Sequence, residues 1–329
     1  MNSVELLPYY HPTTVAMVDD NQPFLQAFSL HLDERDSTIL FSSPEACLTI
    51  INNRSQMTPL DRRCLSWYED GAGDIIRLDL TLIEREISNL ERFADISVVV
   101  VDYAMPQMDG LEFCRRIRNN RVKKVLLTGV ADESIAVQAF NDGLIDRFLL
   151  KSDPDIINKI NTVLHDLKQR YFREVSAGIQ GTLALRSPEF MKDPVFIAWF
   201  RDLLSQTGAV EYYYVEDPPG MLLVDNDGGL KRLAVYTTQE IERVLFQLNA
   251  AGVDRGLLKE ISEGKRVPCL WESGSDLEDE DLDLAEHLFD AIPVQGSQRW
   301  YCALVDDPPA DIEYDPSVSS HAAFLERGA

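Results

Sequence analysis

Four short apolar runs in this chain each deliver a reactive side chain. Val15-Ala16-Met17-Val18 ends on Asp19 and Asp20, ISVVVVD ends on Asp102, KKVLLT ends on Thr128, and RFLL is followed by Lys151. A strand buried on both faces that ends on a carboxylate usually does so because its C-terminal edge needs the charge. Three carboxylates gathered at one edge repel, and each is driven toward protonation unless a cation is supplied. Oxygen donors of that kind suit a hard divalent ion, and an ammonium and a hydroxyl beside them are groups that neutralise and hydrogen-bond an anion.

The elements that must position these residues alternate. Pro23 at a helix start precedes Phe24, Leu25, Phe28 and Leu32, spaced as one helical face. Thr38–Ser42 reads as a second strand and 44–51 as a second helix. After the strand ending at Asp102 comes a helix bearing Leu111, Phe113, Cys114 and Ile117. After KKVLLT comes one bearing Ile135, Val137, Ala139 and Phe140. After RFLL a helix from Pro154 carries Ile156, Ile157, Ile160, Val163, Leu164 and Leu167, with the periodicity running on toward Val175. Five βα units in series predict a parallel sheet with helices on both faces, and ligands of such sheets sit at the carboxyl ends of the strands.

In this order, the acidic pair, Asp102 with its trailing MPQMDG, Thr128, Phe148 and Lys151 resemble the receiver domain of bacterial two-component response regulators over roughly residues 13–170. The resemblance implies a flavodoxin-like (βα)5 fold with a five-stranded parallel sheet. It implies Mg2+ held by Asp20 and Asp102 directly, by Asp19 through water and by the carbonyl of Ala104. It makes Asp102 the nucleophile that takes a phosphoryl group from a histidine kinase or phosphotransfer protein, with Lys151 neutralising the transferring oxygens and Thr128 donating its hydroxyl afterwards. Phe148 is then the switch aromatic that turns inward as Thr128 moves. Without a hydroxyl its inward state rests on burial alone, about 1.5–3 kcal/mol for a side chain taken fully out of water.

Two features depart from the pattern. Lys151 is followed by Ser152 where the family commonly has proline, which leaves open a different path for the ammonium. Asp102 also lies much farther from Asp20 than the family needs, so residues 53–95 read as an insertion before strand three. Its last part carries Leu82, Ile83, Ile87, Leu90 and Phe93 as an apolar helical stripe, which must be buried either within the chain or against a partner chain.

The division expected from the sequence is a receiver at 1–153, its last helix and a linker helix at 154–178, and a C-terminal α+β output domain of unknown type at 179–329. In that last part Phe196, Ile197, Phe200, Leu203 and Leu204 predict a helix, and EYYYVEDPPGMLLVDNDGGLKRLAVYT predicts antiparallel strands with turns at Pro218-Pro219-Gly220 and 226–229. Ile241, Val244, Leu245 and Leu248 predict a further helix, as do Leu282, Leu284, Ala285, Leu288 and Phe289 behind the acidic run at 276–283. Trp300–Val305 reads as the last strand. No catalytic motif stands out. Asp225-Asn226-Asp227-Gly228 begins like a calcium loop but lacks the later bidentate glutamate, and a hairpin turn is the simpler reading.

Composition limits the partners. Of 329 residues 55 are acidic and 31 basic, a net charge of -24 that repels nucleic acid and anionic lipid. Five cysteines without CxxC pairing read as reduced thiols, and neither a signal peptide nor a membrane span is expected. The expectation is a cytoplasmic phosphorylation switch, a homodimer with a non-DNA-binding output and not itself an enzyme. The alternatives are a receiver gating a hydrolase- or nuclease-like output, and a scaffold that takes no phosphate.

Overall fold

The structure is a computed structural model, and it describes residues 5–33, 35–54, 59–70, 73–129, 132–183, 188–269, 284–308 and 314–328. The chain forms two compact units. One comprises His11–Arg63, Asn89–Ala177 and Phe324–Ala329; the other comprises Met1–Tyr10, Cys64–Ser88 and Gly178–Ala323. The backbone therefore passes from unit to unit after residues 10, 63, 88, 177 and 323.

In chain order, β1 (Tyr9–Tyr10) belongs to the second unit and the first unit begins with β2 (Thr14–Val18). Then come α1 (Gln22–Ser29), β3 (Ser37–Phe41), α2 (Pro44–Arg54) and α3 (Leu60–Cys64). Strands β4 (Leu65–Asp70) and β5 (Gly73–Leu78) form an antiparallel hairpin, followed by α4 (Thr81–Glu84). The first unit resumes and continues through β6 (Ile96–Asp102), α5 (Gly110–Arg116), β7 (Lys123–Thr128), α6 (Glu133–Asn141), β8 (Arg147–Leu150) and α7 (Ile156–Val175).

The sheet of this unit is parallel throughout, in the order β3-β2-β6-β7-β8. Every residue of β2 and β6 is buried, as an apolar strand covered on both sides must be. Along β6 the side chains alternate between two cores. Val99 and Val101 join Cys47, Leu48 and Ile51 of α2, Phe113 and Cys114 of α5 and Ala136 and Ala139 of α6. Val98 and Val100 join Leu25 and Phe28 of α1 and Ile160, Leu164 and Leu167 of α7. This is the flavodoxin-like receiver architecture.

The insertion departs from the expected single helix. After α4 the chain makes one 3-10 turn at Arg85–Ser88 and another at Arg92–Ala94, and Leu90 between them is exposed. The stripe breaks because its residues serve two cores. Ile83 and Ile87 are buried in the second unit, where α4 packs on the strand at Ala209–Val215, whereas Phe93 is buried in the first unit against the rings of His11 and Phe324. The burial of the stripe is thus intramolecular. Of the insertion at 53–95, the described residues of 53–63 and of 89–95 fall in the first unit and those of 64–88 in the second.

The second unit continues with α8 (Ala177–Leu183), α9 (Pro194–Thr207), β9 (Ala209–Val215), β10 (Gly220–Asp225), β11 (Leu230–Tyr236), α10 (Thr238–Ala250), α11 (Arg255–Ser262), β12 (Arg266–Pro268), β13 (Leu288–Asp290), β14 (Ile292–Gln295) and β15 (Arg299–Asp306). It ends with α12 (Pro316–Ser319) and α13 (His321–Glu326), whose last residues belong to the first unit. Its main sheet is antiparallel in the order β1-β9-β10-β11-β15-β14, and β12 pairs with β13. Of the helix expected on Leu282–Phe289, Leu284–His287 is a 3-10 turn and Leu288–Asp290 is strand β13, because pairing with β12 at Val267↔Phe289 takes up the backbone bonds a helix would use. Leu282, the acidic run 276–283 and most of the Gly71-Ala72-Gly73 turn lie outside the described residues. The turn at 225–229 is closed by Asp225, whose carboxylate accepts from the backbone N–H groups of Asp227 (3.0 Å) and Gly229 (2.7 Å), a use that fits a hairpin and not an ion loop.

Asp193 shows what holds this unit together. It caps α9, and its carboxylate accepts from the N–H of Val195 (2.9 Å), the N–H (2.6 Å) and hydroxyl (2.8 Å) of Ser297 and the indole N–H of Trp300 (2.8 Å). A Cβ on Gly296 would stand 2.0 Å from this carboxylate, so only glycine lets the 296–297 backbone approach. Burial pushes the carboxyl pKa up, but the donors from Trp300, Ser297 and Phe196 outweigh it and hold it near 2, from 3.8. A folded pKa below the unfolded one stabilises the protein above the unfolded value and loses that contribution as pH falls from about 4 toward 2. Asp193→Asn keeps the shape but turns acceptors into donors. It is expected to cost about 2 kcal/mol at neutral pH and to flatten the stability profile between pH 4 and 2, read from urea unfolding across that range.

Candidate acidic site at the sheet edge

The parallel register lines up the strand ends. Val18 pairs with Val101, Asp102 with Leu127 and Thr128 with Leu150, so the residues that follow β2, β6, β7 and β8 emerge at one edge. Asp19, Asp20 and Asp102 each offer an oxygen within 4.8 Å of the others, and this is the one such group of acidic, histidine or cysteine side chains among the described residues. Asp19 and Asp102 are buried and Asp20 is exposed.

The ammonium of Lys151 bridges the two buried acids, at 2.7 Å from Asp19 Oδ2 and 2.9 Å from Asp102 Oδ1. Ser152 in place of a proline therefore does not keep the ammonium from the acids. The backbone N–H of Lys151 donates to the Thr128 carbonyl (3.0 Å), which fixes where the side chain starts. Burial disfavours its charge, but hydrogen bonds to Asp19 and Asp102 prevail and its pKa lies above the ordinary lysine value. The other oxygen of Asp19 accepts from the N–H of Asn21 (2.8 Å), and the Asn21 side chain in turn caps α1 by accepting from the N–H of Phe24 (3.1 Å). The sequence reading placed Phe24 only on a helix face; its ring centroid lies 4.7 Å from the Lys151 ammonium.

The MPQMDG stretch shapes the neighbouring loop. Met105 and Met108 are buried in the core under α2, α5 and α6, and Asp109 caps α5 by accepting from the N–H of Glu112 (2.8 Å). A Cβ on Gly110 would fall 2.5 Å from the Asp102 carbonyl oxygen and 2.8 Å from Leu126 Cδ1. Glycine here lets α5 start directly behind the acid. Ala104, in the same loop, is exposed. The Thr128 side chain is buried, and its hydroxyl donates to the Gly129 carbonyl (3.2 Å). Phe148 is half-buried against the same core, paired in register with Leu126 on the face that also carries Thr128.

Three carboxylates, two of them buried, with one ammonium fit a hard divalent cation, since a single lysine charge leaves the set net negative. Cysteine chemistry is disfavoured: all five thiols are buried, and burial pushes those of Cys114 and Cys269 up to about 12.

Comparison with known proteins bears on this geometry. Residues 69–161 match the family described as response regulator receiver domain, a span that covers Asp102, Thr128 and Lys151 and begins inside the β4–β5 hairpin. The chain is 43% identical over 97 residues to the cyclic di-GMP phosphodiesterase response regulator RpfG of Xanthomonas campestris pv. campestris (strain 8004), which is 28% of this chain and 19% of that protein. The chain thus spans about a fifth of that relative's length. The Legionella pneumophila response regulator LqsR matches along the whole chain, with 32% identity and a TM-score of 0.81 over 99% of this chain and 97% of that one.

Gly110→Ala is expected to push α5 off the Asp102 carbonyl. It should destabilise the receiver unit by about 2 kcal/mol or more and weaken Mg2+ binding, measured by thermal unfolding with and without the metal.

Proposed function

The chain belongs to the response-regulator family, and from that premise we propose that it is a phosphorylation switch in which Asp102 accepts a phosphoryl group from a histidine kinase or phosphotransfer protein. The observation that carries the reading is the Lys151 ammonium shared by Asp19 and Asp102 at the carboxyl edge of the parallel sheet. In the transfer an Asp102 carboxylate oxygen forms a bond to phosphorus while the bond from phosphorus to the donor imidazole nitrogen breaks, its electron pair leaving with the imidazole. Mg2+, when bound by Asp20 and Asp102, with Asp19 through water and the Ala104 carbonyl, would neutralise charge on the phosphoryl oxygens. Lys151 adds its charge from the other side. Thr128 exchanges its bond to the Gly129 carbonyl for one to a phosphoryl oxygen, and Phe148 moves into the space vacated.

The output of the switch is a change of contact, not DNA binding. Ile135, Val137 and Phe140 are exposed on α6, an apolar face that supports a second copy of the chain as partner. No described helix is long and apolar enough to cross a membrane, and a cytoplasmic site of action suits both the donor and the reduced thiols.

Two measurements test this reading. Incubation with acetyl phosphate and Mg2+ is expected to add one phosphoryl mass to the wild type and none to Asp102→Asn; labelling of neither would favour the scaffold alternative, and equal labelling of both would overturn Asp102 as the acceptor. Beryllofluoride is expected to shift wild type toward a dimer in sedimentation and to leave Phe140→Asp monomeric while it still accepts phosphate. A wild type whose mass is indifferent to beryllofluoride would end the dimer proposal.

A further inference from the structure

We infer that Phe24 is a positioning residue for phosphoryl transfer, its ring holding the Lys151 ammonium at the acidic edge through the face of its π system. The inference rests on the switch reading above and adds a residue to it. The ammonium is 4.7 Å from the Phe24 centroid while it bonds Asp19 and Asp102 at 2.7 and 2.9 Å. A cation at that distance from a ring face is attracted by the ring quadrupole. Lysine carries a compact charge on a flexible four-carbon stem, so its direction depends on what surrounds its end.

The ring is itself held in place. Asp19 accepts from the N–H of Asn21, Asn21 caps the N–H of Phe24, and Pro23 stands at the helix start. The Phe24 ring stacks on Phe28 at 5.3 Å and 27°, and Phe28 is buried in the core under α1 and α7. One acid thus fixes both the ammonium and, through two hydrogen bonds, the ring beneath it. The purpose follows from how the acids change. With phosphate on Asp102 its attraction for the ammonium would move to oxygens farther out, and before that a divalent cation held by Asp20 and Asp102 would share the carboxylates. The ring does not change in either event. It keeps the ammonium near the edge while its ionic partners rearrange.

The test separates ring electrostatics from ring shape. Phe24 is replaced by 4-fluoro-, 3,5-difluoro- and 3,4,5-trifluorophenylalanine in the full chain, and by Leu, Tyr and Trp. The rate of phosphorylation by acetyl phosphate with Mg2+ is followed for each, with Asp102→Asn as blank. The rate is expected to fall stepwise with fluorination, by about two- to five-fold at the trifluoro ring and at Phe24→Leu, and to be retained by Tyr and Trp. A flat fluorination series would overturn the inference. An independent arm uses the metal-free protein: the Lys151 ε-methylene protons should be shifted upfield by the ring current in wild type and return toward ordinary lysine values in Phe24→Leu. Unshifted protons in the wild type would also overturn it. Should wild type take no phosphate, the switch reading is what fails, and the proton shifts alone then decide the contact.

Discussion

The ammonium of Lys151 lies between two buried carboxylates, and much of the receiver unit can be understood as the means of keeping it there. Asp19 and Asp102 leave adjacent parallel strands, so their separation is set by the sheet, and the lysine reaches them from the edge strand β8, two strands from β6 and three from β2. Such an arrangement is costly for carboxylates alone and favourable with a cation among them. The third acid, Asp20, is exposed and is the one through which the set opens to solvent.

The fold supplies this geometry through ordinary packing. The all-buried strands β2 and β6 fix the depth of the site, because a one-residue slip would exchange the two helical layers on which Val98, Val99, Val100 and Val101 pack. The two methionines of MPQMDG anchor the loop behind Asp102 in the core, and Gly110 allows a helix to begin at van der Waals distance from the acid's own carbonyl. The second unit is not appended by one linker. It takes its β4–β5 hairpin and α4 from within the receiver sequence, and the receiver takes back the last residues of the chain.

The receiver was legible in the sequence because its signals are local. Apolar runs of strand length end on the reactive residues, and helical faces lie between them; the five strands and the positions of Asp19, Asp20, Asp102, Thr128 and Lys151 relative to them can be read in that way. The insertion was legible as an insertion, but the stripe from Leu82 to Phe93 looked like one helix because periodicity does not reveal that Ile87 and Phe93 belong to different cores. The span at Leu284–Phe289 misled for a related reason: spaced apolar residues suited a helix, and the pairing of Leu288–Asp290 with Arg266–Pro268 is a long-range contact with no local signal. The contact of Phe24 with Lys151 was likewise hidden, since the two are far apart in sequence and an aromatic on a helix face needs no such partner.

Titration calorimetry with Mg2+ on wild type, Asp102→Asn and Lys151→Met addresses the shared-charge centre most directly. The account predicts one site in the wild type, binding weakened at least about ten-fold by Asp102→Asn, and binding strengthened by Lys151→Met, which removes the competing ammonium. Absence of binding in the wild type, or equal affinity in all three proteins, would contradict it.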